Sequence, residues 1–94
     1  MKTIWKFKIP STTYPNITMP TGAEILSVGV QNNEGYVWVR CSGEKGASME
    51  IRKFVLVGTG RECPGDTGEY LGTIHTEANP NIHHVNHLFE RIAR

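Results

Sequence analysis

The chain has 94 residues, 38% of them hydrophobic and 20% charged, and ten Lys and Arg stand against nine Asp and Glu for a formal net charge of +1. A chain of this length makes one domain, residues 1–94, and removes only roughly 60 to 65% of its unfolded surface from water, so association into a homo-oligomer is a ready source of extra burial. The composition excludes a disordered chain and a membrane protein. The near-neutral charge supplies no long-range field to draw in nucleic acid or an anionic membrane, so any anion site has to be local.

The amino terminus, MKTIWKFKIP, carries Lys6, Lys8 and Pro10 where a signal peptide needs an unbroken apolar stretch. No run approaches the roughly 18 apolar residues of a membrane span, and the expected location is the cytosol. Within TIWKFKI, Trp5, Phe7 and Ile9 fall on one side, as core, and Lys6 and Lys8 on the other, which is the pattern of a strand with one wet face. In STTYPNITMPTG the prolines and glycine limit Ile17 and Met19 to a short edge piece.

AEILSVGVQ sets Leu26, Val28 and Val30 opposite Ile25, Ser27 and Gly29, and Asn32-Asn33-Glu34-Gly35 supplies residues that tolerate the positive backbone angles of a tight hairpin. The second arm, YVWVRCS, separates Val37, Val39 and Cys41 from Tyr36, Trp38 and Arg40. MEIRKFVLVGTG reads as a long strand with apolar residues on both faces after Phe54, so it is covered by core on one side and by a loop or a partner subunit on the other. EYLGTIHTE alternates again before a turn at Ala78-Asn79-Pro80-Asn81. In the final IHHVNHLFERIAR two periods compete: a helix would bury Val85, Leu88, Phe89 and Ile92, and a strand would bury Val85 with Phe89, or Leu88 with Ile82. The predicted fold is all-β, a small antiparallel sandwich or barrel of about five to seven short strands closed by a strand or short helix.

MKTIWKF, MPTGAEILSV, Gln31, Trp38, Gly58-Thr59-Gly60 and GEYLGT together resemble a family of short bacteriophage and prophage proteins of unassigned function, over most of the chain. His87-Leu88-Phe89-Glu90 resembles that family's closing strand, which implies a strand through Glu90 and a short tail. The resemblance implies a phage-encoded accessory protein in the host bacterial cytoplasm, and it brings no catalytic residues.

Several groups are candidates for binding. Gly58-Thr59-Gly60-Arg61 ends a strand, where glycine backbones can present N–H groups to an anion beside Arg61; a phosphate-binding loop would add a Lys-Ser/Thr pair and a helix, and the residues that follow promise a turn. Tyr36, Trp38 and Arg40 share a face and Arg52 follows on the next strand, the interleaving of aromatics and guanidinium groups that holds bases and phosphates; the plain alternative buries Trp38 under Tyr36 and Arg40. His83, His84 and His87 hold one metal only if the segment is helical, because on a strand His83 and His87 sit roughly 13 Å apart. His83 is therefore read as a minor ligand contact, and no metal or cofactor is expected. Cys41 and Cys63 read as two reduced thiols. Lacking an acid–base pair or a nucleophile constellation, the chain reads as a binding protein rather than an enzyme. The phage setting points to capture of a small anionic or nucleotide-type signalling ligand that serves host defence. The alternatives are an inhibitor docked on a host defence protein and a small virion or assembly component.

Overall fold

The computed structural model describes residues 1–92; of the tail expected after Glu90, Ala93 and Arg94 lie outside the described residues. Seven strands run in the order β1 (Lys2–Lys8), β2 (Asn16–Pro20), β3 (Glu24–Gln31), β4 (Glu34–Ser42), β5 (Met49–Gly58), β6 (Thr67–Asn79) and β7 (Ile82–Arg91). They form two antiparallel sheets, β1-β4-β3 and β2-β5-β7-β6, packed as a sandwich. The carboxy-terminal segment is strand through Arg91: pairing with both β5 and β6 satisfies its backbone on each side, a gain that helical periodicity alone does not register.

The core lies between the sheets, built from Ile9, Ile17, Met19, Ala23, Val37, Val39, Cys41, Phe54 and Leu88. The alternation read from the sequence fixes most of these positions, with two corrections. In β3 the register shifts between Ile25 and Ser27. This bulge breaks the expected alternation, so Ile25 opposite Val39 and Val28 opposite Val37 turn inward together while Leu26 is 42% exposed. Trp5, expected in the core, is 41% exposed, because β1 is the outer strand of its sheet and has no neighbouring strand on its other side to cover the ring. Cys41 and Cys63 are both free thiols, the first buried and the second exposed.

The β3–β4 turn is a two-residue hairpin in which Asn32 and Asn33 take φ of 52° and 61°, the conformation that favours asparagine at both places. Asn33 then does a second job. Its amide donates to the Glu77 carbonyl at 2.5 Å and accepts from the Glu77 N–H at 2.8 Å, tying the hairpin to β6 of the opposite sheet. Along the same side, β3 and β6 approach so closely that Val28 packs where a side chain at Gly72 would stand.

The apolar run at the end of β5 has a specific cover. β5 and β6 both pair antiparallel with β7 and so run parallel to each other, and residues 59–66 must return across the sheet's outer face. Thr59 Oγ1 begins the crossing 2.8 Å from His87 Nε2, and Asp66 ends it 2.6 Å from Arg91. Val55 and Val57 share that face with Phe89 and His87 and are buried beneath the crossing. The stretch that opened the question of a phosphate loop is thus a covering connection between two strands.

Candidate functional site

The register of the three-stranded sheet gathers one surface with clear chemistry. Val37, Val39 and Cys41 of β4 point into the core, which sends Tyr36, Trp38 and Arg40 to the outer face. Trp38 is therefore not core, against the plain reading of its sequence. Pairing sets Lys6 beside Trp38, Lys8 beside Tyr36 and Ile4 beside Arg40, so the wet face of β1 supplies cations to the aromatic row of β4.

Tyr36 and Trp38 lie with ring centroids 6.0 Å apart and planes inclined by 54°, and the Lys6 ammonium stands 4.7 Å from the Tyr36 ring centre, a cation–π contact. Gly29 on β3 leaves the space that Trp38 occupies: a Cβ there would come within 3.3 Å of Trp38 Cζ3. The missing side chain lets the indole lie down across the neighbouring strand. Arg40 pairs with Glu24 and Lys8 with Glu34, while Lys6 donates to Gln31. The hydrogen bond and charge of Lys8 hold the Glu34 carboxyl below its ordinary value of 4.5, and Glu34 in turn raises Lys8 above 10.5. Lys2, Lys6, Lys8 and Arg40 thus outnumber Glu24 and Glu34 on this face, and the local sign is positive although the chain is nearly neutral.

The other expected binding residues stand elsewhere. Arg52 turns inward and chelates Glu90 through Nε–Oε2 at 2.6 Å and Nη2–Oε1 at 2.8 Å, with Nη1 on the Ala23 carbonyl at 2.8 Å; the bonds to Glu90 raise its pKa further. Every guanidinium nitrogen is occupied, which makes Arg52 a clamp between β5, β7 and the β2–β3 turn. Gly58, Thr59, Gly60 and Arg61 form the start of the crossing over the four-stranded sheet, with Gly60 at φ +85° and Arg61 N–H bonded to the Gly58 carbonyl at 3.0 Å. His83 stands 3.4 Å from Glu77 on the β6–β7 hairpin. The structure brings Tyr36, Trp38 and Arg40 together and leaves Arg52, the glycine turn and His83 in three separate places.

His87 is held apart from His83 by the strand geometry, its ring nitrogens 2.8 Å from Thr59 Oγ1 and 2.9 Å from Thr73 Oγ1. Among the described residues no group of three His, Cys, Asp or Glu side chains converges as a metal site, and no helix is long and apolar enough to cross a membrane. Lys6 is the member of this face that the sequence reading did not single out. Its place on the wet side of β1 was visible, but the pairing of β1 with β4 was not.

The profile of a domain of unknown function, DUF7352, matches residues 1–94. The chain belongs to that family. No curated protein and no solved structure matches it. Family membership covers the whole sandwich, including β1 and β4, which carry the aromatic and basic face.

Proposed function

We propose that this chain is a phage-encoded binding protein of the host bacterial cytoplasm that captures a nucleotide-type signalling molecule and so counteracts host defence. The observation that carries the reading is the outward pairing of Tyr36 and Trp38 on β4 with Lys6 over the Tyr36 ring and Arg40 beyond. Such a surface offers stacking faces for bases and cations for phosphates on a rigid sheet. A flat sheet face covers a ligand from one side only, and tight capture needs most of the ligand buried. A second copy of the chain closing over the same face meets that need, which makes the active form a homo-oligomer. The phage setting rests on the sequence resemblance.

The test is thermal melting of the purified protein with a panel of cyclic and linear nucleotides. A true ligand at a hundredfold its Kd adds about 2.7 kcal/mol to stability, a rise on the order of 10 °C or more in a domain of this size. Trp38→Ala removes one stacking face and weakens binding by about 5- to 150-fold. A panel without a shift at millimolar concentration counts against the reading.

The free edge of β1 favours a second reading, direct docking on a host defence protein. Ile9 N–H bonds to the Gly35 carbonyl, so odd-numbered β1 residues face β4 and the backbone groups of Ile4 and Lys6 point away from the sheet. Recovery of a stoichiometric partner from host lysate, lost when Ile4 is replaced by proline, would favour docking. Recovery of the protein in purified virions would favour a structural part.

A further inference from the structure

Four arginines lie among the described residues, and three of them are neutralised: Arg40 by Glu24, Arg52 by Glu90 and Arg91 by Asp66. Arg61 alone has no carboxylate within ion-pair distance among those residues. It borders a concavity of about 600 Å³ at the end of β5 and β7 in the four-stranded sheet, whereas the β4 aromatics belong to the three-stranded one.

Three stretches distant in sequence converge there. Ser11, Thr12 and Thr13 come from the β1–β2 connection, held along β5 by the Leu56 N–H bond to the Thr13 carbonyl at 2.9 Å. His84 and Asn86 come from β7, where Asn86 stands opposite Gly58. Arg61 comes from the turn after β5, and a Cβ at Gly58 would meet Arg61 Cγ and Asn86 Oδ1, each at 3.4 Å. The arginine stem and the amide thus both border the end of β5 at Gly58. Hydroxyls, an imidazole and an amide therefore share the concavity with an exposed cation, and Leu56, Val57 and Pro64 add apolar lining. Glu62 is the one carboxylate on the rim, and no ion pair joins it to Arg61.

We propose that this concavity is a binding site for the phosphate group of a small phosphorylated molecule, with Arg61 as its charge and Thr13, His84 and Asn86 as hydrogen-bonding neighbours. A guanidinium fork matches phosphate geometry, and hydroxyl and amide donors complete the shell without adding charge. The volume exceeds what a bare phosphate fills, and the apolar part of the lining suits the carbon skeleton that bears it. The site does not depend on the nucleotide reading, because it lies on the other sheet and needs no base.

The experiment is amide NMR of the intact protein titrated with inorganic phosphate and, separately, glycerol 3-phosphate, against chloride at matched ionic strength. Saturable shifts at Gly58, Gly60, Arg61 and Asn86 are expected with both probes. Tighter binding of glycerol 3-phosphate supports a carried phosphate, and equal binding supports the bare anion at the same site. Arg61→Gln weakens binding by about tenfold or more and Arg61→Lys by less. Trp38→Ala, which removes the base platform, leaves phosphate binding within about twofold, so failure here and failure of nucleotide capture are told apart. Absence of saturable shifts, or shifts that Arg61→Gln leaves unchanged, overturns the proposal; both variants are read on spectra that report folding directly.

Discussion

Replacing Arg52 by methionine separates a structural role from a ligand-binding one. Arg52 donates two bonds to Glu90 and one to the Ala23 carbonyl, and the side chains of the pair are only 18% and 27% exposed. Removing one member of a buried pair costs about 3 to 5 kcal/mol because the other charge is stranded. Water still reaches part of Glu90, and this screening brings the expected loss to about 2 to 3 kcal/mol. The melting temperature should fall on the order of 10 to 20 °C, measured by tryptophan fluorescence through Trp5 and Trp38. The hydrogen bonds to Glu90 raise the folded value of Arg52 above its ordinary one. A cation with a raised folded value keeps its contribution at every pH below the unfolded one, so the loss should be constant from roughly pH 6 to 9. Arg52→Met with Glu90→Leu should regain most of the stability, since no orphan charge remains. A single variant that melts within about 2 °C of the parent yet loses nucleotide binding would refute the clamp and return Arg52 to the ligand.

Two further outcomes follow from particular contacts. Gly72→Ala places a Cβ 2.7 Å from Val28 Cβ and should cost about 1 to 3 kcal/mol in urea unfolding by forcing β3 and β6 apart; Val28→Ala in the same chain keeps that Cβ and should restore little of it, and a neutral Gly72→Ala would show that the seam is loose. Lys8 depresses the Glu34 carboxyl below 4.5, so this contribution is present above that value and is lost as pH falls through the lowered one. Comparing urea midpoints of the parent and Glu34→Gln should show a small advantage of the parent near neutral pH that fades in acid and in high salt; parallel pH profiles would contradict it.

The alternation of Val37, Val39 and Cys41 with Tyr36, Trp38 and Arg40, and the paired asparagines at 32 and 33, were enough to fix the hairpin and its faces, because side-chain direction in a strand has period two and tight turns demand particular residues. The same local rules foresaw that Val55 and Val57 would be covered on the outer side. Local rules fail where a partner is chosen. The bulge at Leu26 inverts the phase of β3 within one residue, Arg52 finds Glu90 at a separation no pattern reveals, and the competition between helix and strand at Ile82–Arg91 is decided by two flanking strands. The sequence by itself determined an all-β chain with its inward and outward residues largely sorted, since backbone geometry and burial act over a few neighbours. Only the tertiary structure decided that Lys6 joins Tyr36 and Trp38, that Arg52 is closed off and that Arg61, Asn86 and His84 line one concavity, because strand pairing is set by the free energy of the whole sandwich and not by any segment of it.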